Sequence, residues 1–136
     1  MNHPMTYLLR CVNCGKEYVP DRELYTCPDC LDRMGTLEVV YSLTSKTQWY
    51  RSEYPGIWAY ADLLPIVKDP LPPSLYVGNT PLVRAPRIER EFGIQELWIK
   101  DDGKNPTASF KDRASVVAIA KALEYGYTDL FAASTG

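Results

Sequence analysis

Between residues 112 and 126 apolar side chains return every three or four positions. Ala114, Val117, Ala118, Ala120 and Leu123, with Lys121 among them, are helix formers or apolar residues at the spacing of one helical face. Gly126 stands where a left-handed cap would end the run, and Ser109 with Asp112 resembles a capping box that uses Asp in place of Glu or Gln. The pattern predicts a helix over residues 109–125. Short β-branched and aromatic runs bounded by Gly, Pro or Asn predict strands at residues 35–41, 81–85, 96–100 and 129–133. Shorter helices are expected at residues 57–64, carrying Trp58 and Leu64 inward, and at residues 87–92, ended by Gly93.

Strand, helix and strand in succession imply a right-handed parallel crossover and an α/β fold class. Ligands of open α/β sheets sit beyond the C-terminal strand ends, so the loop before Lys111 and the residues Ser134-Thr135-Gly136 belong to one edge. Residues 42–54 are polar and aromatic without a clear period, and Pro70, Pro72 and Pro73 mark an extended connector. No internal repeat interrupts this order.

Composition narrows the function classes. The chain has 136 residues and a formal net charge of -2, with a pI near 5.4, which argues against a general nucleic-acid or membrane-surface binder. The aromatics of residues 42–64 therefore read as core anchors rather than base-stacking platforms. The first ten residues lack the character of a secretory signal, and no apolar run approaches the roughly 20 residues of a membrane span. A cytoplasmic location is the expectation. His3 is the one histidine, so Ser-His-Asp or Cys-His chemistry has no base here.

Four cysteines fall as Cys11-Val12-Asn13-Cys14 and Cys27-Pro28-Asp29-Cys30. Each pair can bend as a knuckle that aims two thiolates at one point, and two knuckles supply a closed tetrahedral zinc site. Two disulfides or a redox C-x-x-C are the alternatives. Tyr18 and Val19 with Leu24 and Tyr25 suggest a hairpin between the knuckles, and residues 35–41 a strand that closes the ribbon. A four-cysteine site leaves no position for substrate. The metal is therefore read as structural, folding about 40 residues that burial alone would not stabilise.

The remaining chemistry centres on residues 101–113. A lysine in the first turn of a helix faces unpaired N–H groups and the positive end of the macrodipole, a place that disfavours an ammonium. Such a lysine suits the role of a neutral amine that condenses with an aldehyde. Asn105-Pro106-Thr107-Ala108-Ser109-Phe110-Lys111-Asp112-Arg113 resembles the Asn-Pro-Thr-Gly-Ser-Phe-Lys-Asp-Arg signature of the fold type II (tryptophan synthase β-like) pyridoxal-phosphate enzymes, and most closely that of the threonine synthases. Gly78-Asn79-Thr80-Pro81-Leu82 resembles the family's Gly-x-Thr-Pro-Leu, and Trp58-Ala59-Tyr60 with Leu63-Leu64-Pro65 its Trp-Arg-Tyr and Leu-Leu-Pro segment. The four-cysteine ribbon is similar to one that opens many threonine synthases.

The resemblance implies that Lys111 forms the Schiff base with pyridoxal 5'-phosphate and acts as catalytic proton shuttle, with Phe110 beside the cofactor ring. Ala108 replaces the family's glycine, and its methyl group is expected to tighten the loop or exclude a positive φ. Ser134 and Thr135 resemble the start of the loop that binds the substrate carboxylate, whose asparagine would come next. No Gly-rich phosphate loop occurs in these residues.

By the same resemblance residues 1–42 form a zinc-ribbon-like segment, 43–75 a connector, and 76–136 the opening βαβ part of the pyridoxal-phosphate domain, incomplete in this chain. The complete enzyme is expected to convert O-phospho-L-homoserine and water into L-threonine and phosphate, with a small amino acid as its only partner and a homodimer left open. The fragment alone is expected to be inactive. A sibling such as threonine dehydratase or cysteate synthase, or a non-catalytic zinc-ribbon interaction module, is the alternative.

Overall fold

The computed structural model describes residues 7–43, 49–66 and 76–133. Its first part is a three-stranded antiparallel sheet in the order β2-β1-β3, made of β1 (Tyr7–Cys11), β2 (Glu17–Tyr18) and β3 (Leu37–Tyr41). Leu9 faces Tyr18 on one side and Val39 on the other. The hairpin therefore folds around the first cysteine pair rather than between the pairs. Leu24 is held in a turn by a bond from its N–H to the Asp21 carbonyl, and Val19 and Tyr25 are exposed. The second pair opens a 3-10 segment, Pro28–Arg33, which starts on a proline because that position needs no N–H partner.

The apolar core lies elsewhere. Ile57, Trp58 and Ile66 from the middle of the chain pack with Val77 and with Val116 and Ala120 of the long helix α2 (Asp112–Glu124). Trp58 is 2% exposed, on a kinked 3-10 segment, Gly56–Leu63, with Leu64 half-buried against the same cluster. Trp49, Tyr50 and Tyr60, by contrast, are exposed, so only part of this aromatic stretch anchors a core.

Strand β4 (Leu82–Arg84), helix α1 (Pro86–Phe92) and strand β5 (Trp98–Lys100) follow, the strands pairing antiparallel with Val83 opposite Ile99. Buried Glu89 joins the three: it accepts from Arg84 Nε at 2.9 Å and from the Leu97 N–H at 2.9 Å. Helix α2 ends in a Schellman turn, with the Tyr127 N–H on the Ala122 carbonyl and the Gly126 N–H on that of Leu123. Beyond it residues 129–133 run without strand structure, and Phe131 is 96% exposed. A strand exists by pairing, and among the described residues nothing pairs there, so the second strand expected of a parallel crossover is not formed. The prolines at 70, 72 and 73, and Ser134 with Thr135, lie outside the described residues.

Side-chain contacts tie the ribbon to α2. Lys121 Nζ donates to the Tyr7 hydroxyl and to Glu124 Oε1, each at 2.6 Å, and lies over the rings of Tyr7 and Tyr125. Tyr25 and Tyr127 bring their hydroxyls to 3.2 Å. Among the described residues no helix is long and apolar enough to cross a membrane.

Candidate active site and metal centre

The two cysteine knuckles converge. The four sulfurs of Cys11, Cys14, Cys27 and Cys30 lie within 4.8 Å of one another, and Cys14 Sγ is 3.8 Å from Cys27 Sγ. A tetrahedron with zinc–sulfur bonds of about 2.3 Å sets its sulfurs about 3.8 Å apart, so the donor set fits that metal. Cys11, Cys27 and Cys30 are buried while Cys14 is exposed. No disulfide joins them. Local backbone bonds make each knuckle: the Asn13 N–H points at Cys11 Sγ at 3.4 Å, and the Cys30 N–H bonds the Cys27 carbonyl at 3.1 Å. Gly35 closes the second knuckle at a φ of +51°, where a Cβ would stand 2.9 Å from the Cys27 carbonyl oxygen.

Two further residues complete this site that the spacing of cysteines does not reveal. The Tyr18 hydroxyl lies 3.1 Å from Cys27 Sγ, and Asn13 Nδ2 donates to the Arg33 carbonyl at 2.9 Å, joining the first knuckle to the segment after the second. Thiols packed this closely hold their protons unevenly. Burial pushes Cys30 up to about 12, aided by its thiol neighbours. At Cys11 burial acts upward, but hydrogen bonds from the backbone N–H groups of Cys14 and Asn13 and from the Cys27 and Cys14 thiols together bring the thiol down to about 7.

Lys111 lies at the other end of the described structure, and α2 begins one residue after it. Lys111 is the N-cap, with helical angles of φ -62° and ψ -22°, so it precedes the first turn in which the sequence places it. Its carbonyl accepts the Ser115 N–H at 3.0 Å, and its own N–H donates to Ser109 Oγ at 3.2 Å. The expected capping box is replaced by a different brace. Asp112 reaches back past Ser109 to accept the Thr107 N–H at 2.9 Å and the Thr107 hydroxyl at 2.5 Å.

Ala108 takes a φ of +58° despite its methyl group, so the left-handed turn that a glycine would make freely is kept, and the expectation that alanine excludes it is wrong. Phe110 is 67% exposed and Lys111 half-buried, at consecutive positions just before the helix.

The two motifs, 78–82 and 105–113, form one construction. The Gly78 N–H donates to Asn105 Oδ1 at 3.0 Å, and Asn105 Nδ2 to the Asp102 carbonyl at 2.9 Å. Asp102 Oδ1 accepts from the Thr80 hydroxyl at 2.6 Å, while Arg113 donates to both carboxylate oxygens at 2.8 Å. Lys100 Nζ caps the Thr80 carbonyl. Hydrogen bonds from Arg113 and then Thr80 hold the Asp102 carboxyl well below the usual carboxylate range. The residues present thus fit one side of a cofactor site: a lysine at the start of a braced turn, an exposed aromatic residue next to it in sequence, and a hydrogen-bonded tie to two neighbouring stretches of chain.

Comparison with known proteins agrees with this construction. Residues 73–136 match the family described as pyridoxal-phosphate dependent enzyme. The chain is 41% identical over 133 residues to the threonine synthase of Methanosarcina acetivorans, covering 96% of this chain and 32% of that protein. It is 40% identical over 134 residues to that of Methanocaldococcus jannaschii, with 95% and 32% covered. Over 84 residues it is 44% identical to that of Mycobacterium leprae, with 61% and 23% covered. The chain thus spans about a third of the length of the two archaeal relatives. No solved structure gave a significant match. Taken with the converging motifs, these matches relate residues 73–136 to the pyridoxal-phosphate dependent enzymes and nearly the whole chain to about a third of the length of threonine synthases.

Proposed function

We propose that this chain supplies the cofactor-lysine part of a threonine synthase, which converts O-phospho-L-homoserine and water into L-threonine and phosphate. The observation that carries the reading is the identity of about 40% to threonine synthases, which runs through the ribbon and the lysine loop alike. When bound, pyridoxal phosphate supplies an electron sink for carbanion chemistry beside the substrate's amino group.

Lys111 would hold the cofactor covalently through its amine, and Phe110 would lie against the ring. Lys111 Nζ would also hold and move the protons exchanged at the substrate's carbon atoms. Ser134 and Thr135 would bind the substrate carboxylate through hydroxyl and backbone N–H groups. Residues 101–113 keep the amine in place while it changes partners, a task for which a braced turn is better suited than a free loop. Cys11, Cys14, Cys27 and Cys30 would bind one zinc ion, which with four protein sulfurs has no open position and serves structure alone. Cytoplasmic location goes with this reading.

The test is turnover by the full-length protein. The wild type is expected to release phosphate and threonine from O-phospho-L-homoserine, and Lys111→Ala to lose turnover by several orders of magnitude together with the absorbance of lysine-bound cofactor. Wild-type enzyme that turns over serine or threonine but not O-phospho-L-homoserine would exclude this substrate assignment.

A further inference from the structure

Arg113 occupies a place that helix energetics disfavours. It is a cation in the first turn of α2, where the macrodipole favours anions. The structure offsets this with one carboxylate: Asp102 accepts from Arg113 Nε and Nη2, both at 2.8 Å, in a two-pronged pair. The Thr80 hydroxyl closes the arrangement, donating to Asp102 Oδ1 at 2.6 Å while accepting from Arg113 Nη2 at 3.1 Å. Three stretches of chain meet here, and Thr80 is buried. The floor under them is stiff. Gly78 has a φ of +93°, and a Cβ on it would stand 2.8 Å from the Ile57 nitrogen and 3.4 Å from Arg113 Nη1.

Geometry relates this tie to the amine. Arg113 lies two positions after Lys111, so at about 100° per helical residue their side chains leave the turn roughly 200° apart. Arg113 grips Asp102 and Thr80 on one side, and the Lys111 side chain leaves the turn on the other. The Arg113 N–H also bonds the Phe110 carbonyl at 3.2 Å, so any slip of Arg113 moves the Phe110–Lys111 backbone with it.

We propose that Asp102 is a positioning residue: acting through Arg113 and Thr80, it fixes the turn that presents the Lys111 amine to the cofactor. The proposal rests on Lys111 being the cofactor lysine, and the experiment separates the two. Full-length protein stripped of cofactor is mixed with pyridoxal phosphate, reduced with borohydride at set times, and digested, and the pyridoxyl label on each lysine is counted.

Label on a lysine other than Lys111 in the wild type would remove the functional reading itself. With wild-type label on Lys111, the proposal predicts that Asp102→Asn slows labelling there by about tenfold to a hundredfold. Asp102→Glu, which keeps the carboxylate, recovers part of that loss, a rescue that a mere packing role would not give. Arg113→Gln slows labelling similarly, and the double variant is no slower than the worse single one, because both remove the same tie. Unchanged labelling in folded Asp102→Asn, no recovery in Asp102→Glu, or multiplying losses in the double variant would each overturn it. Should Asp102→Asn fail to fold, Thr80→Val takes its place. It removes one hydroxyl from the same carboxylate, and slower labelling of Lys111 supports the proposal while an unchanged rate refutes it.

Discussion

The ribbon and the helix that follows Lys111 are both ordered, yet different forces hold them. In the ribbon the buried cluster is made of the metal-site residues themselves, Cys11, Cys27 and Cys30, with Tyr18 and Leu37 packed against them among the described residues. Around α2 the buried residues are aliphatic and aromatic, and the loop before it is held by side-chain hydrogen bonds to Asp102, Asn105 and Asp112. One region is packed around four sulfurs that could share an ion, and the other is held by burial and polar ties. Four thiolates that shared one ion would let so short a segment dispense with an apolar core, whereas the lysine loop rests on the apolar part instead.

The largest expected effect breaks the ribbon alone. Structural zinc contributes on the order of 10 kcal/mol in comparable small modules, so chelation, or Cys27→Ser, is expected to melt the three-stranded sheet. Hydrogen exchange should then show β1 and β3 unprotected while the Trp58–Val116 core keeps its protection. Simultaneous loss of both would contradict the division.

Trp58→Ala breaks the other side. Removing this buried ring leaves a cavity and is expected to cost about 3 to 5 kcal/mol in unfolding experiments on the α/β part. Zinc content, measured by metal analysis, should stay at one per chain.

A smaller effect falls on the seam between them. Burial, and then the Glu124 charge, pushes the Tyr7 hydroxyl up to about 12 from an ordinary value of 10. Its folded-state value is raised, so its contribution to stability is complete below pH 10 and disappears as pH rises from 10 to 12. Lys121→Met removes the ammonium that donates to Tyr7 and is expected to cost about 1 to 2 kcal/mol. Urea unfolding at pH 8 measures it.

The smallest effect concerns the lysine loop. Ala108→Gly relieves a left-handed alanine but adds freedom to the unfolded chain, so the net gain is expected to stay below about 1 kcal/mol. A melting temperature lower than that of wild type would show that the methyl group contributes packing.

Much of this was legible from residue order. The cysteine spacing foretells the cluster because knuckle geometry is local, and the period of three and four marks the existence of α2, but not its buried face: of the positions read as that face only Ala120 is buried, and Val116, four positions before it, was missed. Gly93 and Gly126 end their helices as read. What escaped depends on distance along the chain. Nothing near Asp102 announces that its carboxylate will meet Thr80, 22 positions earlier, and Arg113, 11 later. The one local hint was Arg113 itself, a cation at the positive end of a helix, which needs an anion from elsewhere. Tyr18 was read for the hairpin alone, because a hydroxyl facing a cysteine sulfur leaves no periodic mark. The strand expected at 129–133 has the right composition, but pairing rather than composition makes a strand.

The central claim is that Lys111, on a turn braced from three stretches of chain, is the lysine that holds the cofactor. Borohydride reduction of the full-length, cofactor-loaded protein followed by peptide mapping tests it most directly. The account predicts a single pyridoxyl label on Lys111, with Lys104 in the same loop and Lys121 at the ribbon seam unlabelled. A label on Lys104, Lys121 or any other lysine would contradict it.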